Sequence, residues 1–149
     1  MIDTAALLLA GTLTAVTTLF APGAAAAGFS CTVNGSPKEA VQQGDRWFLD
    51  GTDGPDFIEC ADVYEPVVVD GGAGKDSINV SRYNYGQLDG GLGDDTVWVR
   101  ERNYGRINGG PGNDELRVLL VNVGSIDGGP GNDLCSSLGG QPPVNCERS

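Results

Sequence analysis

Five aspartates follow glycine-rich turns at a fixed offset, an arrangement whose chemistry is that of a hard-cation ligand. The stretches are "DGGAGKDSINV" at 70–80, "DGGLGDDTVWV" at 89–99, "NGGPGNDELRV" at 108–118 and "DGGPGNDLCSS" at 127–137, with a less regular "DGTDGPDFIEC" at 50–60. Glycine permits positive φ and close backbone approach, so several carbonyl oxygens can converge on one point. The aspartate adds a carboxylate, and Ca²⁺ accepts about six to eight oxygen ligands in flexible geometry. Pro111 and Pro130 occupy the third motif position, where the ring removes the amide hydrogen. The turn therefore offers carbonyls rather than the inward N–H groups an anion needs. No Gly-Lys-Ser/Thr follows the glycines, which sets a phosphate loop aside.

The elements that must position these aspartates follow from the spacing. Gly71, Gly90, Gly109 and Gly128 are 19 residues apart, and Gly51 lies 20 residues upstream of Gly71. Fixed spacing at this scale predicts a solenoid, in which each coil buries its apolar face on its neighbours. Behind each aspartate the columns Ile78/Val97/Leu116 and Val80/Val99/Val118 alternate with Asn79/Trp98/Arg117. That alternation predicts a strand with one buried face. In the second half of the coil come Asn84/Asn103/Asn122, Gly86/Gly105/Gly124 and Leu88/Ile107/Ile126. The asparagines fit a tight turn and a stacked ladder, and the last column a second strand. The expected fold is all-β: a short, flattened parallel β-solenoid (β-roll or β-helix) of about five coils, with two strands and two turns per coil.

The segments "GGAGKDSIN", "GGLGDDTVW", "GGPGNDELR" and "GGPGNDLCS" resemble the GGxGxDxUx nonapeptide of the RTX, or haemolysin-type, calcium-binding repeats. The resemblance covers 51–137 and implies a parallel β-roll with Ca²⁺ between successive glycine turns, held by backbone carbonyls and the aspartate. It implies Asp76, Asp95, Asp114 and Asp133 as carboxylate ligands. The turn glycines it implies are Gly71, Gly72 and Gly74; Gly90, Gly91 and Gly93; Gly109, Gly110 and Gly112; and Gly128, Gly129 and Gly131. "GTDGPDFI" resembles a degenerate opening repeat and adds Asp56. A standard roll carries the nonapeptide on both sides, whereas here the other side reads "SRYNYGQ", "RERNYGR" or "LLVNVGS". One row of ions is expected, not two. Lys75, where later copies have Asp94, Asn113 and Asn132, is expected to weaken the first full site.

The first 27 residues differ from the rest: an apolar run ends in small residues, with Ala25 and Ala27 fitting an A-x-A cleavage site before Gly28. This reads as a secretory signal peptide, although "MID" lacks a basic residue; a membrane span is opposed by the Pro22-Gly23 break. The expected organisation is a signal peptide at 1–27, an N-terminal cap at 28–50, the solenoid at 51–137 and a C-terminal cap at 138–149. Without its leader the chain carries 19 acidic and 9 basic residues, an excess that argues against nucleic acid. Four cysteines on an exported chain point to disulfides. Cys31 and Cys60 bracket the first irregular segment and Cys135 and Cys146 the last, so local pairing at each end is favoured over the other two connectivities.

The leading expectation is a secreted calcium-binding structural or interaction module that folds on its ion, with no enzymatic role and no membrane span in the mature chain. With no histidine the chain cannot carry an HExxH zinc site or a Ser-His-Asp triad. A β-helix polysaccharide-degrading enzyme would need a wide face and long loops, which 19-residue coils do not supply. The rival is a cell-surface binder of glycan or protein, using Asn79/Trp98/Arg117 and Ser81/Arg100/Leu119 with Tyr83, Tyr85, Tyr104 and Arg102 nearby.

Overall fold

A computed structural model describes residues 29–147, so the expected signal peptide lies outside the described residues. Every regular element among them is a strand. The chain enters through β1 (Cys31–Val33), β2 (Ser36–Lys38) and β3 (Val41–Gln43), then winds through β4 (Arg46–Thr52) and β5 (Phe57–Cys60). The next three coils are β6 (Val67–Gly72), β7 (Ser77–Val80) and β8 (Tyr83–Asn84); β9 (Gln87–Asp89), β10 (Thr96–Val99) and β11 (Arg102–Asn103); and β12 (Arg106–Asn108), β13 (Glu115–Val118) and β14 (Val121–Asn122). β15 (Ser125–Asp127) and β16 (Leu134–Ser137) complete the stack.

The strands form the three walls of a parallel solenoid. The first wall is β5, β7, β10, β13 and β16; the second is β8, β11 and β14; the third is β4, β6, β9, β12 and β15. Register is set by identical offsets from each glycine turn. It stacks Ile58, Ile78, Val97, Leu116 and Cys135 in one buried column, and Cys60, Val80, Val99 and Val118 in the next. Opposite them stand Leu49, Val69, Leu88, Ile107 and Ile126. A one-residue slip would turn these columns to water, so the alternation itself holds the coils in register.

The coil has three strands where the sequence predicts two. The second half breaks at Gly86, Gly105 and Gly124, because a Cβ on Gly105 would drive into the Gly86 carbonyl of the preceding coil. The inward asparagines hold this corner. Asn84 Nδ2 donates to Asn103 Oδ1 at 2.7 Å and Asn103 Nδ2 to Asn122 Oδ1 at 2.8 Å, all three fully buried. Each buried amide also reaches a backbone carbonyl past the bend: Asn84 reaches Arg106, Asn103 reaches Ser125, and Asn122 reaches Gln141.

Both ends are closed by a disulfide, and the first also by strand pairing. β1 lies antiparallel on β5, and β3 antiparallel on β4. Cys31–Cys60 and Cys135–Cys146 are the two disulfides, the connectivity predicted from the sequence. The last residues copy the contacts of a further coil. The Val144 carbonyl accepts from Gly128 N–H, Gly140 bridges to Asn122, and the Glu147 carboxylate accepts from Asp133 N–H.

Candidate metal centre

The chain folds its glycine turns inward because the stacked backbones leave no room for side chains. The second glycine of each of the four turns holds positive φ, and so does the third in all but the last, as at Gly91 (106°) and Gly93 (133°). The first shows the crowding best: a Cβ on Gly90 would sit 2.5 Å from the Gly109 carbonyl oxygen and 2.8 Å from Asp95 Oδ2. The same two kinds of atom, a carbonyl of the next coil and the turn's own aspartate Oδ2, face that space at Gly71, Gly109 and Gly128. At Gly128 the carbonyl belongs to Asn145.

The five aspartates form one buried column. Asp56 N–H donates to Asp76 Oδ1, Asp76 N–H to Asp95 Oδ1, Asp95 N–H to Asp114 Oδ1 and Asp114 N–H to Asp133 Oδ1, each at 2.8 Å. One oxygen of each carboxyl therefore ties its turn to the turn before it. The other oxygen is unpartnered. Oδ2 of Asp76, Asp95, Asp114 and Asp133 is buried and accepts no hydrogen bond, on residues 1–2% exposed. A buried carboxylate oxygen without a partner is costly unless a cation or a proton satisfies it.

Asp56 stands apart. Its Oδ2 accepts from Thr52 N–H and Oγ, and its Oδ1 from Asn34 Nδ2 at 2.6 Å. Burial alone would push this carboxyl up, yet the hydrogen bonds from Thr52 and Asn34 outweigh it and hold it below the ordinary value. It closes the first turn and keeps no free oxygen. The opposite balance holds further down. Burial pushes Asp114 up to about 6, against the Asp95 N–H bond and with the neighbouring Asp95 and Asp133 charges adding to the rise. Asp76 and Asp95 are raised by burial in the same way.

The residues fit an ion only as a mixed site. Among the described residues no group of three or more His, Cys, Asp or Glu side chains gathers tightly enough to hold a metal. Each turn supplies one inward carboxylate, and backbone carbonyls must complete any coordination shell. The third-position carbonyls, Leu92, Pro111 and Pro130 among them, already accept from the glycine N–H of the preceding coil. Each keeps a second lone pair. Lys75 is exposed, as are Asp94, Asn113 and Asn132 in the same column, so it does not intrude on the turn interior.

Two partners of the column escaped sequence reading. Glu147 ends the ladder from a non-repetitive tail, and Asn34 begins it, with positive φ and its Oδ1 accepting from Phe57 N–H. Neither lies in a repeat, so no spacing marks them. The expected surface patch is divided: Asn79, Trp98 and Arg117 lie on the first wall, with Arg117 over the Trp98 ring, while the tyrosines gather at the second corner. No protein-family model, curated protein or solved structure matches the chain.

Proposed function

We propose that the protein is a secreted calcium-binding β-solenoid in which a single row of Ca²⁺ ions neutralises the aspartate column and so stabilises the fold. The observation that carries this reading is the set of four unpartnered Oδ2 atoms on Asp76, Asp95, Asp114 and Asp133, stacked at coil spacing beside glycine carbonyls. Adjacent carboxylates at about 4.8 Å repel by roughly 3 kcal/mol at an effective dielectric of about 20. A proton could satisfy such an oxygen, but Asp114, raised to about 6, is mostly ionised at neutral pH, and there a cation answers its Oδ2. The carbonyl-and-carboxylate donor set is all oxygen, the preference of Ca²⁺. Asp76, Asp95, Asp114 and Asp133 would hold the ions; Asp56 would only close the first turn. Two disulfides suit an oxidising compartment.

An ion that binds only the folded chain adds stability with concentration, about 2.7 kcal/mol at one hundred times its dissociation constant. Extracellular modules bind Ca²⁺ at about 10⁻⁴ to 10⁻³ M, a range that separates outside from inside. The test is circular dichroism in chelator and then in millimolar Ca²⁺ or Mg²⁺. The β signal is expected to be weak in chelator, restored by Ca²⁺ and poorly restored by Mg²⁺, which demands stricter octahedral geometry. A full β spectrum in chelator, unchanged by added calcium, would overturn the proposal.

A further inference from the structure

Away from the aspartate column, at the corner between the second and third walls, an open groove of about 670 Å³ runs along the stack. Its lining draws on the first coil (Arg46), the middle coils (Gln87, Arg106 and Ser125) and the C-terminal tail (Gln141). Tyr64, Tyr85 and Tyr104 rise beside it as an exposed ladder. Tyr64 and Tyr85 lie 5.8 Å apart between ring centroids and 5° from parallel, Tyr85 and Tyr104 4.8 Å and 3°. The ladder then stops. The next coil has Val123 in that column, so among the described residues Tyr85 covers one face of Tyr104 and the shorter Val123, not a ring, lies toward the other. Tyr104 and Val123 both line the groove.

We propose that this groove binds a linear, uncharged polysaccharide, with Tyr104 as the stacking platform. Three observations select that partner. An aromatic face beside polar side chains matches a sugar ring, which has apolar C–H faces and a hydroxyl rim. Gln87, Arg106 and Ser125 stand in one register column at the coil spacing of about 4.8 Å, a row of polar side chains that can meet the hydroxyl rim of a sugar seated on Tyr104. The lining's charges cancel, Asp45 and Glu65 against Arg46 and Arg106, on a chain of formal charge −11 that repels polyanions. The groove and the aspartate column occupy different corners, so the failure of either proposal leaves the other standing.

The test is titration calorimetry of the protein in millimolar Ca²⁺ with cellohexaose, chitohexaose, xylohexaose and mannohexaose, and with hexagalacturonate as the charged probe. At least one neutral hexasaccharide is expected to bind. Tyr104→Ala should weaken it about tenfold, the worth of one aromatic contact. Arg106→Ala should weaken it about fivefold through a lost hydrogen bond, and Trp98→Ala on the first wall should leave it unchanged. Arg106 is exposed, so its variant decides the matter should Tyr104→Ala lose its β spectrum. The proposal is overturned by no binding of any neutral probe, by tighter binding of hexagalacturonate, or by a Trp98→Ala loss as large as that of the groove variants.

Discussion

Each inner aspartate divides its work between its two oxygens, Oδ1 holding the preceding turn and Oδ2 left free, and substitutions can separate the two. Asp95→Asn keeps an oxygen to accept from Asp76 N–H, removes the charge, and gives the other position N–H groups that can donate to a carbonyl. It should weaken calcium binding several-fold in calorimetry while leaving the β signal in chelator as strong as before or stronger. An equal effect of Glu39→Gln, an exposed acid outside the turns, would reduce the acids to a diffuse field. Asp62 is no control for this comparison, because it is buried, ion-paired to Arg82, and accepts from Tyr83 N–H. Acid should act in the same direction as calcium. The folded carboxyls of Asp76, Asp95 and Asp114 sit above the ordinary 3.8, so the folded state holds protons more tightly than the unfolded chain. Their contribution is fully present below about pH 3.8 and is lost as pH rises through the folded values, about 6 for Asp114. In chelator, the weak β signal is therefore expected to grow as pH falls from 7 towards 5, and a flat or inverted profile would contradict the buried column.

Within the coil, the second corner depends on the asparagine ladder, whose members are not equivalent. Asn103 both accepts from Asn84 and donates to Asn122, so Asn103→Ala orphans two buried groups. Asn84 ends the ladder with its own Oδ1 already unpartnered, so Asn84→Ala orphans only one and removes an existing orphan. At about 1–3 kcal/mol per orphaned group, Asn103→Ala should cost roughly 1–3 kcal/mol more in urea denaturation with calcium present. The strands of the first wall were legible because four consecutive residues alternate in each copy, as in Ser77-Ile78-Asn79-Val80. The second wall was not, because Tyr83–Asn84 and its counterparts are two residues long and show no period. In the turns, the aspartates were legible as candidate ligands from spacing alone. The engagement of their Oδ1 atoms was not, since it depends on which lone pair faces the next backbone. The groove was illegible for a different reason: Arg46, Tyr104 and Gln141 meet only once the stack is wound.

Taken as a whole, the molecule is a one-layer core closed at both ends, and the two closures should differ in worth. Cys31–Cys60 spans 29 residues and Cys135–Cys146 spans 11. On the chain-entropy view the longer loop contributes about 1 kcal/mol more, within a usual range of about 2–4. Paired Cys→Ser variants, compared by urea denaturation in millimolar Ca²⁺, should show that order; the reverse order would mean that the Glu147 tail depends on its disulfide more than the β1 hairpin does on its own. That tail answers Asp133 with Glu147, the Gly128 N–H with Val144, and Asn122 with Gln141, meeting the stack as if it were one more coil. It reads the residues one repeat before it, and the glycine turns and asparagine corners show their successors the same backbone atoms. The length of this protein is consequently quantised. Excision of residues 89–107 would bring Asp76 against Asp114, Asn84 against Asn122 and Leu88 against Ile126, with both ends intact. A gene carrying this pattern can gain or lose whole 19-residue units in a single recombination and still encode a closed stack, while a change of one residue within a strand turns its column out of line; the 20-residue first coil takes up its extra residue between the strands.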